Sequence, residues 1–306
     1  MNIRDWALIT FTILVQMSVG AFLVLGVVHF FATRKAGMEE ADRMSDYALL
    51  ALVPVLFLAF VASLLHLGNP LNAYRAITHL GTSWLSWEIL SGVLFAIIAT
   101  VFAFMQWRKI GSFTLRTIIA WVAAVVGVAL VYIMAHVYML PSQPAWNTLS
   151  TPISFFVTTL MLGALAMGAA FVANYAYVQK KNPGCADAQC TLMREVLRGI
   201  ATAAIILVGI EMVVLPVYVA TLATGGAAAM ASIKLMVGPY LALFILRVVL
   251  AFLGAGVFAL FLYRNASSPG QEKVLSILAY SAFFVVLAAE VIGRFMFYAT
   301  HVIIGL

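Results

Sequence analysis

The chain has 306 residues, of which 65% are hydrophobic and 9% charged, and its formal net charge is +6. A soluble domain has about 45–50% apolar and about 25% charged residues, so this chain has too few charges to cover a water-exposed surface. The composition also excludes a disordered chain, and two cysteines are too few for a disulfide scaffold. The sequence therefore predicts an all-α, polytopic membrane protein.

Stretches without Asp, Glu, Lys or Arg predict where the polypeptide crosses the membrane. They cover residues 6–33, 47–74 and 117–179, and a spanning helix needs about 20 apolar residues. The third stretch is long enough for two helices, divided at Pro141, Pro144 and Pro152. In sequence order we predict eight spans, at residues 7–32, 47–67, 85–107, 117–140, 153–178, 196–222, 238–263 and 274–300.

These spans form a single integral membrane domain over residues 1–306. We expect the first span to be retained in the protein, because its apolar run is longer than the core of a signal peptide, which has about 7–15 residues. The connectors are too short to hold a soluble domain, so chemistry must occur within the bilayer or in a partner subunit.

Basic residues predict the orientation of the helices. Arg and Lys cluster in the 1–2, 3–4, 5–6 and 7–8 connectors and their flanks, whereas the other side of the predicted bundle has only Arg4, Arg75 and Lys234. Basic connectors stay in the cytoplasm, so we predict that both termini lie outside, in the periplasm. The positive charge is thereby explained by topology, and we expect no nucleic-acid partner. The residues of the basic side are Arg34, Lys35, Arg43, Arg108, Lys109, Arg116, Lys180, Lys181, Arg194, Arg198, Arg264 and Lys273.

Five charged residues fall inside the predicted spans, apart from Arg198 at the basic end of the sixth, and an ionisable side chain there is costly unless it has a partner. Glu290 and Arg294 are four residues apart on one helix face, so they can neutralise each other. Glu211 and Arg247 lie on different helices and can pair between them. We interpret both as structural ion pairs, with proton transfer by these carboxylates as the alternative.

The fifth charged residue, Glu88, belongs to the richest polar segment of the sequence. His66 ends the second predicted span and Glu88 begins the third, with Arg75 between them and Trp84 and Trp87 as interfacial aromatic residues. In an antiparallel pair, His66 and Glu88 would lie at similar depth. Oxidation of a quinol requires two groups of this kind, since imidazole can accept one proton and a carboxylate can hold the second ring oxygen. We predict His66, Glu88 and Arg75 as catalytic residues that also bind the substrate together with Trp87.

Two other classes of protein remain open at this point. A b-type haem cytochrome could use His66 and His136 as axial ligands, although His29 has no partner histidine on its own side. A transporter or a purely structural anchor is the other alternative. We predict no metal site in this protein, because Cys185 and Cys190 have no histidine nearby to complete one.

The same residues carry a resemblance to a known family. The sequence resembles the membrane-anchor subunits of dimethyl sulfoxide (DMSO) reductases in an ordered set of segments from the second span to the last. These are His66-Leu67-Gly68-Asn69-Pro70, Ser86-Trp87-Glu88-Ile89, Pro144-Ala145-Trp146-Asn147-Thr148, Arg247, and Glu290-Val291-Ile292-Gly293-Arg294 through Tyr298 to His301.

This resemblance implies a function in anaerobic respiration. Such anchors lie in the bacterial inner membrane, bind menaquinol without a haem, and pass its electrons to a four-cluster iron–sulfur subunit. That subunit feeds a molybdopterin catalytic subunit, here expected on the periplasmic side. By the motif matches, His66 corresponds to the quinol-site histidine of the family and Glu88 to its nearby acid.

Overall fold

A computed structural model describes residues 3–66, 75, 79–181, 186–268 and 270–304, and these residues form an all-α bundle. Ser83 and Ser112 cap the third and fourth helices, each accepting a hydrogen bond from the backbone N–H three residues ahead. The helices are α1 (Ile3–Ala36), α2 (Met38–His66), α3 (Trp84–Arg108), α4 (Phe113–Tyr138), α5 (Ser150–Lys181), α6 (Ala186–Ala223), α7 (Ala227–Val237), α8 (Leu241–Asn265, with a π-helical segment at Phe252–Phe258) and α9 (Glu272–Ala299).

Eight of the described helices are long and apolar enough to cross a membrane, and α7 is the short exception. The predicted eight-span, all-α architecture is therefore confirmed. The large hydrophobic side chains on the outside of the bundle, such as Phe57, Trp121 and Ile277, are exposed. An apolar exterior of this kind is suited to lipid, where only helices that satisfy their own backbone hydrogen bonds are stable.

The structure differs from the predicted boundaries at two connectors. The 1–2 connector is almost entirely helical, because α1 continues to Ala36 and α2 begins at Met38, with Gly37 between them at a φ of 89°. Glycine adopts this left-handed conformation without a steric cost. The connector before α8 also contains a short helix, α7. The sequence predicted this segment only as a connector between two spans.

The centre of the bundle is the pair α1 and α5. In each, 72% of the most apolar stretch is buried, against 17–33% in the other six spans. The two helices cross at Gly20 and Gly163, and a Cβ atom added to Gly20 would overlap the carbonyl oxygen of Thr159. Small residues allow this close backbone approach, which is the usual way for helices to associate in a membrane.

Candidate functional site

The predicted site residues lie at one end of the bundle, which we call the His66 end. Helices α2 and α3 are antiparallel, because Asp42 near the start of α2 accepts hydrogen bonds from Gln106 and Lys109 at the finish of α3. The last residue of α2, His66, and the first turns of α3, with Glu88, therefore lie together at the opposite end. The side chain of His66 and residues 67–74 and 76–78 lie outside the described part of the protein.

Glu88 points into the protein. It is 6% exposed, and its carboxyl group interacts electrostatically with the hydroxyls of Tyr138 on α4 and Tyr298 on α9. Its neighbour Trp87 is 42% exposed, as expected for adjacent residues that lie about 100° apart around a helix. Trp84 is also exposed, so the two indoles lie on the outer surface of α3, and of these three residues Glu88 alone reaches the interior.

Arg75 lies in a different environment from Glu88. It is exposed, and its carbonyl oxygen is 3.3 Å from Nδ1 of His79, which is exposed as well. The structure thus places the predicted acid in the bundle and the predicted cation on the surface. Sequence spacing alone did not distinguish these two environments.

An aromatic cluster closes the His66 end between α4 and α9. Tyr138 and Tyr298 share a hydrogen bond of 2.7 Å between their hydroxyls. The Trp146 ring stacks on His301 with centroids 4.2 Å apart, and its Nε1 donates to the carbonyl oxygen of Phe297 at 2.8 Å. The segment around Trp146, which contributes to the family resemblance, therefore fixes the α4–α5 connector against the end of α9.

The remaining histidines have local partners. His136 packs on Tyr132 at 4.0 Å between ring centroids, and its Nδ1 donates to the Tyr132 carbonyl oxygen. At the opposite end, His29 contacts Asp42 at 3.0 Å. Among the described residues, no group of three or more His, Cys, Asp or Glu side chains is arranged to hold a metal ion. Cys190 donates to Glu272 at 3.2 Å, and Cys185 lies outside the described residues.

Of the two predicted ion pairs, the one between helices is present. Nη2 of Arg247 on α8 donates to Oε1 of Glu211 on α6 at 2.6 Å. The guanidinium lies against Gly293 of α9, where an added Cβ atom would overlap Nε of Arg247. A glycine at this position therefore lets the arginine reach the carboxylate.

The predicted pair within α9 differs from the expectation. Arg294 donates to Gln16 of α1 at 2.7 Å and its guanidinium lies 3.9 Å from the centroid of the Phe155 ring, while Glu290 accepts from Thr158 of α5 at 2.7 Å. In this part of the described structure, Arg294 and Glu290 therefore each bind a neutral side chain of a central helix instead of forming a salt bridge with each other. Gln16 was detectable as a polar residue in an apolar helix, whereas Thr158 and Tyr138 gave no comparable signal.

Comparison with known proteins identifies the family of this protein. The family model described as DMSO reductase anchor subunit (DmsC) matches residues 1–300. The protein is similar to the C subunit of the anaerobic dimethyl sulfoxide reductase of Escherichia coli, with 30% identity over 99% of this sequence and 97% of that one. It is also similar to the anaerobic dimethyl sulfoxide reductase subunit YnfH of Escherichia coli, with 27% identity over the same shares. With the C subunit of the Haemophilus influenzae reductase it shares 29% identity over 56% of this sequence and 60% of that one. The protein therefore belongs to the family of DMSO reductase anchor subunits.

Proposed function

We propose that this protein binds menaquinol near the periplasmic face of the bacterial inner membrane and oxidises it. The observation that supports this most directly is the buried Glu88 carboxyl group at the His66 end, the same end as the Tyr138–Tyr298 hydroxyl pair. A carboxyl group in an apolar bundle is costly to keep, and a substrate hydroxyl is a partner that would offset its burial.

The chemistry requires the removal of two electrons and two protons from the quinol. His66 would accept one hydroxyl proton, and Glu88 would hold the second ring oxygen or receive its proton. Arg75, on the surface at the same end, would stabilise developing negative charge, and Trp87 would guide the ring from the lipid. No haem is needed for these steps.

The electrons would pass to a four-cluster iron–sulfur subunit and from there to a molybdopterin catalytic subunit, both on the periplasmic side. Membership in the anchor family supports such partners, and the positive-inside distribution of Lys and Arg supports the orientation. Because protons and electrons would both leave on the outer side, this oxidation would not by itself generate a membrane potential.

The test is His66→Asn in the assembled complex. We expect reduction driven by a menaquinol analogue to fall at least tenfold, while reduction driven by an artificial donor to the partner subunits is unchanged. His79→Asn is the matched control, since His79 is an exposed histidine at the same end. Unchanged quinol-driven activity in His66→Asn would refute the assignment. A haem spectrum that is visible in the unsubstituted complex and lost in His66→Asn would favour the cytochrome alternative.

A further inference from the structure

A second polar site lies in the other half of the bundle. A cavity of about 100 Å³ opens between α5, α6, α8 and α9. Four charged side chains line it: Glu211, Arg247, Glu290 and Arg294. None of the described residues assigned to quinol oxidation contributes to its wall, so this cavity is separate from the proposed quinol site and takes from the proposed function only the orientation of the bundle.

The charged groups of this cavity have unused hydrogen-bonding atoms. Within the described part of the protein, Oε2 of Glu211, Oε1 of Glu290 and Nε of Arg247 and Arg294 have no hydrogen-bond partner. Glu290, Arg294 and Glu211 are 3%, 6% and 7% exposed. A buried charged group without its hydrogen bonds is strongly destabilising. A ligand suited to this cavity must therefore both donate to carboxylates and accept from guanidinium groups.

Water fits that requirement. The cavity has charged and hydroxyl groups in its wall and is larger than one water molecule needs, and each buried water commonly makes about three hydrogen bonds. The two unpaired acceptors and two unpaired donors supply such partners. A cluster of a few water molecules would therefore complete both the Glu211–Arg247 pair and the bonds of Glu290 and Arg294.

A row of hydroxyl groups connects the cavity to the His66 end. Ser150, Ser154 and Thr158 recur at every fourth residue of α5, so they lie near one face that extends about 12 Å from the helix start. Thr158 reaches Glu290, and Thr300 lines the cavity just beyond the end of α9. The wall thus has a polar path from a bundle end to the carboxylate.

Glu290 is the carboxylate best placed to exchange a proton. Its bonded partner is the neutral hydroxyl of Thr158, whereas Glu211 is held by Arg247. Among the described residues that line the cavity, the groups facing Glu290 are Arg294 on its own helix, Glu211 and Tyr218 from α6, Arg247 from α8, and hydroxyls from α5. Protonation of Glu290 leaves both arginines with an acceptor, one in Glu211 and the other in Gln16.

We propose that this cavity is a hydrated proton-exchange site in which water from the outer face delivers a proton to Glu290. A hydronium ion in the cavity donates its proton to Oε1, forming the carboxylic acid and leaving a water molecule. The reverse step returns the proton to the same row of water molecules, so no oxidant or reductant is involved. The proton thereby reaches a buried carboxylate of α9 that is separate from the residues assigned to quinol oxidation.

Hydration is tested by cysteine accessibility in the complex, with both native cysteines replaced by serine. Ser154→Cys should react with a small, membrane-impermeant, charged thiosulfonate added to the outer face, because a thiol is modified as the thiolate, which needs water. The control Val217→Cys lies on the exposed outer surface of α6, six residues before the helix ends and therefore within the membrane, and should react at least tenfold more slowly. Equal, slow reaction at both positions would show that the cavity is dry and overturn the proposal.

Proton exchange is tested by infrared difference spectroscopy of the intact complex after a pH change. A carboxylic-acid band that shifts in heavy water should disappear in Glu290→Gln and remain in Glu211→Gln. If Glu290→Gln co-purifies with its partner subunits and retains every such band, Glu290 exchanges no proton. Covalent labelling of cavity residues by a photoactivatable quinone would also overturn the proposal, since an organic ligand would then occupy the site.

Discussion

The Glu211–Arg247 pair allows a quantitative test of how α6 and α8 are held together. The structure joins α6 to α8 by a 2.6 Å hydrogen bond between two largely buried charges. Removal of one partner of a buried pair costs about 3–5 kcal/mol, because the other charge remains buried alone. The Arg247 side chain is 18% exposed, so the lower value applies. We expect Glu211→Leu and Arg247→Met each to lower the free energy of unfolding by about 3 kcal/mol.

The double variant distinguishes this reasoning from simple loss of packing. Replacement of a buried pair by apolar residues is often neutral or stabilising, so Glu211→Leu with Arg247→Met should be more stable than either single variant. The assay is reversible unfolding of the purified subunit in mixed micelles with increasing denaturing detergent, followed by helix content. If the double variant loses the sum of the two single losses, the charges do not depend on each other and the argument fails.

Three further outcomes are expected. Gly20→Ala should lower the thermal unfolding temperature of the complex because its Cβ has no space beside α5, whereas Gly26→Ala, with open space around it, should not. Tyr298→Phe should cost about 1 kcal/mol of unfolding free energy by removing the bond to Tyr138, and unchanged stability in the same micelle assay would contradict that bond. A reporter inserted after Ile110 should be active only as a cytoplasmic fusion, and external activity would reverse the predicted topology.

The sequence predicts the number of spans well because one physical quantity, the thickness of the hydrocarbon layer, decides it. It predicts the rotation of each helix poorly. Most spans are apolar on every side, so periodicity does not say which face is inside. Glu88 and Trp87 show the difficulty, since both are predicted to bind substrate and only Glu88 faces the interior.

The hydrogen-bond partners of the buried charged side chains were hard to predict for a related reason. Arg294 lies four residues from Glu290, and this spacing favours a local pair. In the folded protein it donates instead to Gln16, which is 278 residues away in the sequence. Such a bond depends on how α1 and α9 approach each other around α5, and one sequence has no local pattern for that approach. The pair between Glu211 and Arg247 was easier to predict because a charge in each helix needed a partner.

The close crossing of α1 and α5 also has a consequence for the order of assembly. One of the two large contact surfaces of α1, at Gly20, is reserved for a helix that begins only at Ser150. Nascent polypeptides grow at about 5–20 residues per second, so α1 waits several seconds with α2 as its main neighbour. During that time Gln16, which is buried in the folded bundle, does not yet have its partner Arg294 on α9. The centre of this bundle is therefore closed late, and a polypeptide interrupted before α5 would present a polar face within the bilayer.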